Sequence, residues 1–119
     1  MPLELQNFSI STFLTFWPEQ TELNGVVLFG SRAKDMESER DSDWDIGAIY
    51  SGKRPMLDIP PMWDLFLWEK SHWENGFVLQ LEMAAYAKIL LDPENIIQAR
   101  FEFLREKILP HWAGYLRRL

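Results

Sequence analysis

Apolar positions recur along this chain at two spacings, and the changes between them predict its elements. Phe8, Ile10, Phe13, Leu14, Phe16 and Trp17 crowd residues 5–17, which predicts a short helix ending before Pro18. Leu23, Asn24 and Gly25 read as a turn, and residues 26–29 as a short buried strand. Residues 44–50 read as a second strand, and 51–61, with one Gly and three Pro, as a loop. Met62, Leu65, Phe66 and Trp73 fall at helical spacing, so a helix is predicted over 62–73 and closed by Asn75 and Gly76. Trp63, Trp68 and Trp73 step by five, which on a helix leaves at least one of them exposed or at an interface. The pattern then changes to period two. Phe77, Leu79, Leu81 and Met83 alternate with Val78, Gln80 and Glu82, which predicts a strand over 77–83.

Another strand is predicted over 88–91, after a short turn. Pro93 then opens a helix in which Ile97, Phe101, Leu104, Ile108, Trp112, Tyr115 and Leu119 fall at steps of three or four. Pro110 should kink or restart that helix. The predicted fold class is α/β or α+β: a small mixed sheet of three to four strands, with helices packed mainly on one side. The 119 residues read as a single domain, and a hydrophobic content of 47% gives it a real core.

Charge and composition narrow the functional classes. A net charge of −6 argues against broad nucleic-acid binding through phosphates, which needs clustered Lys and Arg, but suits a cation site. Cys is absent, so disulfides and thiolate metal sites are excluded, which fits a reducing cytoplasm. The N-terminus shows no basic segment followed by an apolar one, and no apolar run approaches the roughly 20 residues of a membrane span. A cytoplasmic protein without membrane contact is therefore expected. Six Trp and eight Phe exceed what a small core needs, which points to an aromatic partner surface.

Residues 28–47 read LFGSRAKDMESERDSDWDIG and hold the candidate chemistry. A strand that ends in Gly-Ser and turns into a helix presents free backbone N–H groups and a positive dipole end. Gly30 lets the backbone approach a ligand, the Ser31 hydroxyl can hold a phosphate oxygen, and Arg32 adds charge. Asp43 and Asp45 are two residues apart on a strand and so project from one face. Their oxygens suit a hard cation such as Mg²⁺, which commonly joins protein carboxylates to substrate phosphates. Asp41, Lys34 and Arg40 in the polar loop read as solvated charges, and so do Asp58 and Asp64. His72 and His111 lack metal-ligand spacing.

FGSRA followed by SDWDIG resembles the signature of the nucleotidyltransferase superfamily, the DNA polymerase beta-like fold: an apolar residue before Gly-Ser, a spacer of about ten residues, then Asp-x-Asp. The size resembles the minimal nucleotidyltransferase (MNT) group, the antitoxin half of HEPN/MNT toxin–antitoxin pairs. The resemblance implies that Gly30 and Ser31 hold nucleotide phosphates and that Asp43 and Asp45 bind metal. It also implies a third acidic residue on a later strand. The best match is FVLQLEM, which offers Glu82. Where minimal members often read VDLVD, this chain has VLQLE, so the earlier acidic position is lost and Gln80 stands on the same face.

The activity so implied is Mg²⁺-dependent transfer of AMP from ATP to a Tyr of a HEPN-type ribonuclease. The alternative is a catalytically degenerate module that neutralises its partner by binding alone. A free-standing transferase acting on a small molecule is the third reading, and this short chain offers no second domain to build its acceptor pocket. Trp112, Tyr115, Leu116 and Leu119, beside Arg117 and Arg118, have the composition of an interface hot spot. The helix over about 93–119 is therefore expected to pack through its first half and to contact the partner, or a second copy of the chain, through residues 111–119.

Overall fold

The computed structural model describes residues 8–30 and 43–111. Ser9 caps helix α1 (Ile10–Phe16) by accepting the Thr12 N–H, and Pro18 follows its end. Next come β1 (Glu22–Phe29), β2 (Trp44–Ser51), β3 (Trp63–Glu69) and a 3₁₀ turn (Lys70–Asn75). Helix α2 (Phe77–Tyr86), β4 (Lys88–Leu91), α3 (Ile96–Phe103) and a π-helical turn (Leu104–Ile108) complete the order. The four strands form one mixed sheet in the order β3-β2-β1-β4. β1 is antiparallel to both β2 and β4, and β2 is parallel to β3.

The sheet is buried on both faces. Val27, Phe29 and Ile49 point to one face and meet Leu81, Met83 and Ala84 of α2, Ile97 and Phe101 of α3, and Leu104. Val26, Leu28, Trp44, Ile46 and Ala48 point to the other. That face is closed by Phe13 of α1 and by Leu57 and Ile59 of the connection between β2 and β3. Most of the helical structure thus lies on one side, as the sequence led us to expect. No described helix is long and apolar enough to cross a membrane.

Several elements differ from the sequence reading, each for a physical reason. Leu23, Asn24 and Gly25 are no turn but a bulge inside β1, where the register with β2 shifts. Asn24 is buried there, donates to Glu22 and Glu94, and accepts from the Ser51 hydroxyl. Residues 62–73 are not a helix. β3 packs through Trp63, Leu65 and Leu67 on one face and through Phe66 and Trp68 on the other. A strand covered on both sides reads as a continuous apolar run, and helical spacing within it is coincidental. Trp63 and Trp73 are accordingly buried and Trp68 is half-buried, so none of the three is left outside.

The predicted strand over 77–83 is helix α2. Its inward face includes Gln80, fully buried, whose amide donates to the Trp73 carbonyl and whose oxygen accepts the Arg100 Nε–H at 2.9 Å. Pro93 does not open α3. The helix begins at Ile96, where the Asp92 carboxylate accepts the N–H groups of Ile97 and Gln98 at 3.1 and 2.8 Å. Ile97, Phe101 and Leu104 are fully buried, so the first half of the C-terminal stripe packs as expected. The irregularity tied to Pro110 sits one turn earlier. Leu109 donates to Leu104, an i→i−5 bond, and the wider turn makes room for a proline that has no N–H to give. The helix expected after Ser31 and the segment 112–119 lie outside the described residues.

Candidate functional site: a cluster of carboxylates at a glycine turn

β1 ends at Phe29, and Gly30 turns the chain with φ +77°, a left-handed conformation that favours glycine. Across the sheet Phe29 pairs with Asp45 of β2, and Asp45 pairs in register with Asp64 of β3. Parallel neighbours in register share a face, so the two carboxylates emerge together on the side covered by α2. Trp44 and Trp63 flank them on the opposite face and are both buried, which anchors the register through apolar packing. Asp43, exposed, precedes β2, and Glu82 comes from α2.

Three of these acidic groups act on the fourth, Asp45. The Asp45 carboxyl is pushed up from 3.8 to about 6, first by burial and then by the negative charges of Asp64, Asp43 and Glu82. Gly30 is in direct contact with the cluster. A Cβ built there would stand 2.1 Å from Asp45 Oδ2 and 3.0 Å from its Cγ. Gly30→Ala should therefore both strain the backbone, by about 1–2 kcal/mol, and drive the Asp45 carboxylate from its place. Pairing Gly30→Ala with Asp45→Ala should recover the contact part of that loss and leave only the backbone part, which a double-mutant cycle in urea measures. Additive effects would show that the two residues do not press on each other.

Asp64 is the member that sequence reading missed, because 62–73 was read as a helix. The signal was present: Trp44-Asp45-Ile46 and Trp63-Asp64-Leu65 share Trp-Asp before a branched apolar residue, and the structure sets them side by side residue for residue. Glu82 is not on a strand as expected, but from its helix its charge still reaches Asp45. The later strand that carries a carboxylate beside Asp45 is β3, through Asp64. Ser31 and Arg32 lie outside the described residues, as do Lys34, Arg40 and Asp41. His72 sits in the 3₁₀ turn at the far end of β3, and Asp58 is exposed in the 52–62 connection.

The donor set is all carboxylate oxygen, which is hard-cation chemistry. Among the described residues no three or more His, Asp or Glu side chains are gathered closely enough to hold a metal ion by themselves. The arrangement fits the mode in which one or two carboxylates hold Mg²⁺ while substrate phosphate oxygens and water complete its octahedron. Asp43 and Asp45, two positions apart on one face, are the pair that could do so, and Asp64 lies in register beside Asp45.

Four mixed strands, with α2 and α3 on one face and α1 on the other, form an α+β fold that sets a glycine turn against Asp45 and its in-register neighbour Asp64. Among solved structures the chain is similar to a toxin–antitoxin with AMP-PNP, at 15% identity and a TM-score of 0.52, over 92% of this chain and 93% of that one. It is also similar to a mutant of the toxin–antitoxin MntA-HpeT carrying two Asp-to-Glu replacements, at 14% identity and a TM-score of 0.51 over the same shares. No protein-family model matches the chain, and no curated protein matches it.

Proposed function

We propose that this protein is a Mg²⁺-dependent nucleotidyltransferase of the minimal antitoxin kind, which transfers AMP from ATP to a tyrosine of a HEPN-type toxin. The observation that carries the reading is the in-register pair Asp45 and Asp64 with Gly30 packed against Asp45. The similar structures support it. One is a toxin–antitoxin with an ATP analogue, and the replaced aspartates of the other are two positions apart, the spacing of Asp43 and Asp45. A partner of this kind and a chain without cysteine both suit the cytoplasm.

The residues divide the work as follows. Gly30, with Ser31 and Arg32 beyond it, receives the triphosphate at the end of β1. Asp43 and Asp45 hold the cation, which when bound neutralises charge developing on the phosphates. The acceptor oxygen attacks the α-phosphorus, the bond to the β-phosphate bridge breaks, and pyrophosphate leaves. Asp64, exposed on the same face, is placed to take the acceptor's proton.

The test is incubation with α-labelled ATP and Mg²⁺, with and without a small all-helical HEPN-type partner bearing the R-x4-6-H motif. Label should pass to the partner. Asp64→Asn should lower the rate about 10²-fold or more, and Glu82→Gln by less than about tenfold. Equal rates for Asp64→Asn and wild type would remove Asp64 from the chemistry. The open carboxylate arrangement favours one second reading, a module that neutralises its partner by contact alone. A stable complex with no transfer under any metal would establish it.

A further inference from the structure

Helix α2 runs back across the sheet toward the carboxylates. Its first turn lies near the end of β3, where a Cβ on Gly76 would stand 3.1 Å from Trp68 Nε1. Further along, the Met83 methyl comes within 3.5 Å of the place a Cβ on Gly47 would occupy, one pleat from Asp45. Glu82, beside Met83, reaches Asp45 through its charge. Tyr86 ends the helix, four residues on from Glu82 and so on the same helical face, one turn nearer the helix end. After Ala87 the chain enters β4, whose Lys88 pairs with Leu28, two residues before Gly30. The last turn of α2 is thus held beside the glycine turn by the chain itself.

Tyr86 is 50% exposed. Among the described residues it is the one hydroxyl on this face at this end of the sheet. The Ser and Thr hydroxyls of α1 are on the opposite face, Thr21, Ser51 and Ser71 are at the far end, and Tyr50 is buried. A nucleotidyltransferase needs an acceptor hydroxyl, and here one is tethered one helical turn beyond Glu82. Tethering replaces a bimolecular encounter with an intramolecular one, which favours reaction strongly when the reach is right.

We infer that Tyr86 is an acceptor for the chain's own nucleotidyl transfer, an inference that rests on the reading of the site as a nucleotidyltransferase. Tyr86 Oη attacks the α-phosphorus of a nucleoside triphosphate and forms a phosphodiester bond. The bond from the α-phosphorus to the β-bridging oxygen breaks, and pyrophosphate leaves with the electron pair. The phenol proton passes to the Glu82 carboxylate on the preceding turn and from there to water. The product carries one more negative charge beside Asp43, Asp45, Asp64 and Glu82, which disfavours rebinding of an anionic triphosphate. Self-modification is therefore self-limiting, at one nucleotide per chain.

The experiment uses the full chain without partner, incubated with α-labelled ATP and Mg²⁺ or Mn²⁺, and reads two things: the ATP-dependent rise in melting temperature and the label on the tryptic peptide 71–88, in which Tyr86 is the one tyrosine. The expected result is one AMP on Tyr86, at a fractional rate independent of protein concentration. Label should fall to background in Tyr86→Phe, which keeps the ring and hence the fold, and in Asp45→Asn. A wild-type chain that shows the ATP-dependent shift yet stays unlabelled, or is labelled elsewhere, overturns the inference and leaves the site reading standing. A fractional rate that rises with protein concentration overturns modification within one chain. Neither shift nor label, with or without partner, overturns both.

Discussion

Asp45→Asn should raise the stability of the protein at pH 7 and, on the function proposed above, abolish any stabilisation by Mg²⁺ with ATP. In the folded chain this carboxyl titrates near 6 instead of 3.8, because burial and three neighbouring charges oppose its ionisation. The sign follows from linkage. A carboxyl whose folded value lies above its unfolded one stabilises the fold fully below about pH 4, and that contribution is lost as pH rises through about 6. At full strength the shift corresponds to about 3 kcal/mol, and screening by solvent brings it to about 1–2 kcal/mol. Asn keeps the shape and never ionises. The variant should therefore melt above wild type at pH 7, by roughly 4 °C per kcal/mol for a chain of this size, and the difference should vanish near pH 4. Wild type should gain stability from Mg²⁺ with ATP by mass action, and the variant should gain none. Thermal melts at pH 4, 5, 6 and 7, with and without ligand, measure all of this. A variant no more stable than wild type at pH 7 would mean that the acidic groups do not burden one another.

Phe101→Ala should lower stability by about 3–5 kcal/mol, a large part of the total for a domain of this size. Phe101 is fully buried where α3 meets the sheet, its ring 6.4 Å from that of Trp73 and in one cluster with Val27, Ile97 and Leu104. Removing it leaves a cavity that these neighbours are too constrained to fill. Two residues on, Phe103 is 47% exposed and meets Arg100 across its face at 5.9 Å, so Phe103→Ala should cost under about 1 kcal/mol. Urea titration of the two variants tests the contrast, and similar midpoints would show that α3 is not the brace of this face. Because α3 supports α2, the Phe101 variant should also lose nucleotide response at concentrations where the folded fraction is still high.

The glycine turn and the Asp-x-Asp strand were legible because their roles are local. A strand that ends in Gly, and carboxylates spaced for one face, can be read without knowing what lies across the sheet. β3 and α2 were not legible, for opposite reasons. β3 has no polar side to show, since Trp63, Leu65 and Leu67 meet one layer and Phe66 and Trp68 the other. In α2 the polar residue is inside: Gln80 is buried because Arg100, twenty residues later, satisfies it, and no local pattern announces that bond. Taking Gln80 as outward turned a helical face into an apparent alternation and placed Glu82 on a strand. The third strand aspartate was then out of sight, although its Trp-Asp pair repeats that of β2.

The parallel pairing of β2 and β3 also determines which lengths of chain the protein can tolerate. The connection over 52–62 spans the sheet as an irregular segment, and the pairing is set beyond it by Trp63 against Trp44. Residues added or lost in its exposed start, 52–54, are absorbed before Leu57 and Ile59 pack and before the strand begins, so the length there is free to drift while the paired aspartates stay in place. A single residue inserted between Trp63 and Asp64 is different in kind. It would turn the aspartate into the aromatic layer around Phe13 and Trp44 and leave Asp45 facing the inserted residue. The tolerance of the molecule to insertion thus changes from wide to nil between the start of the connection and the strand, where an architectural join becomes an instrument.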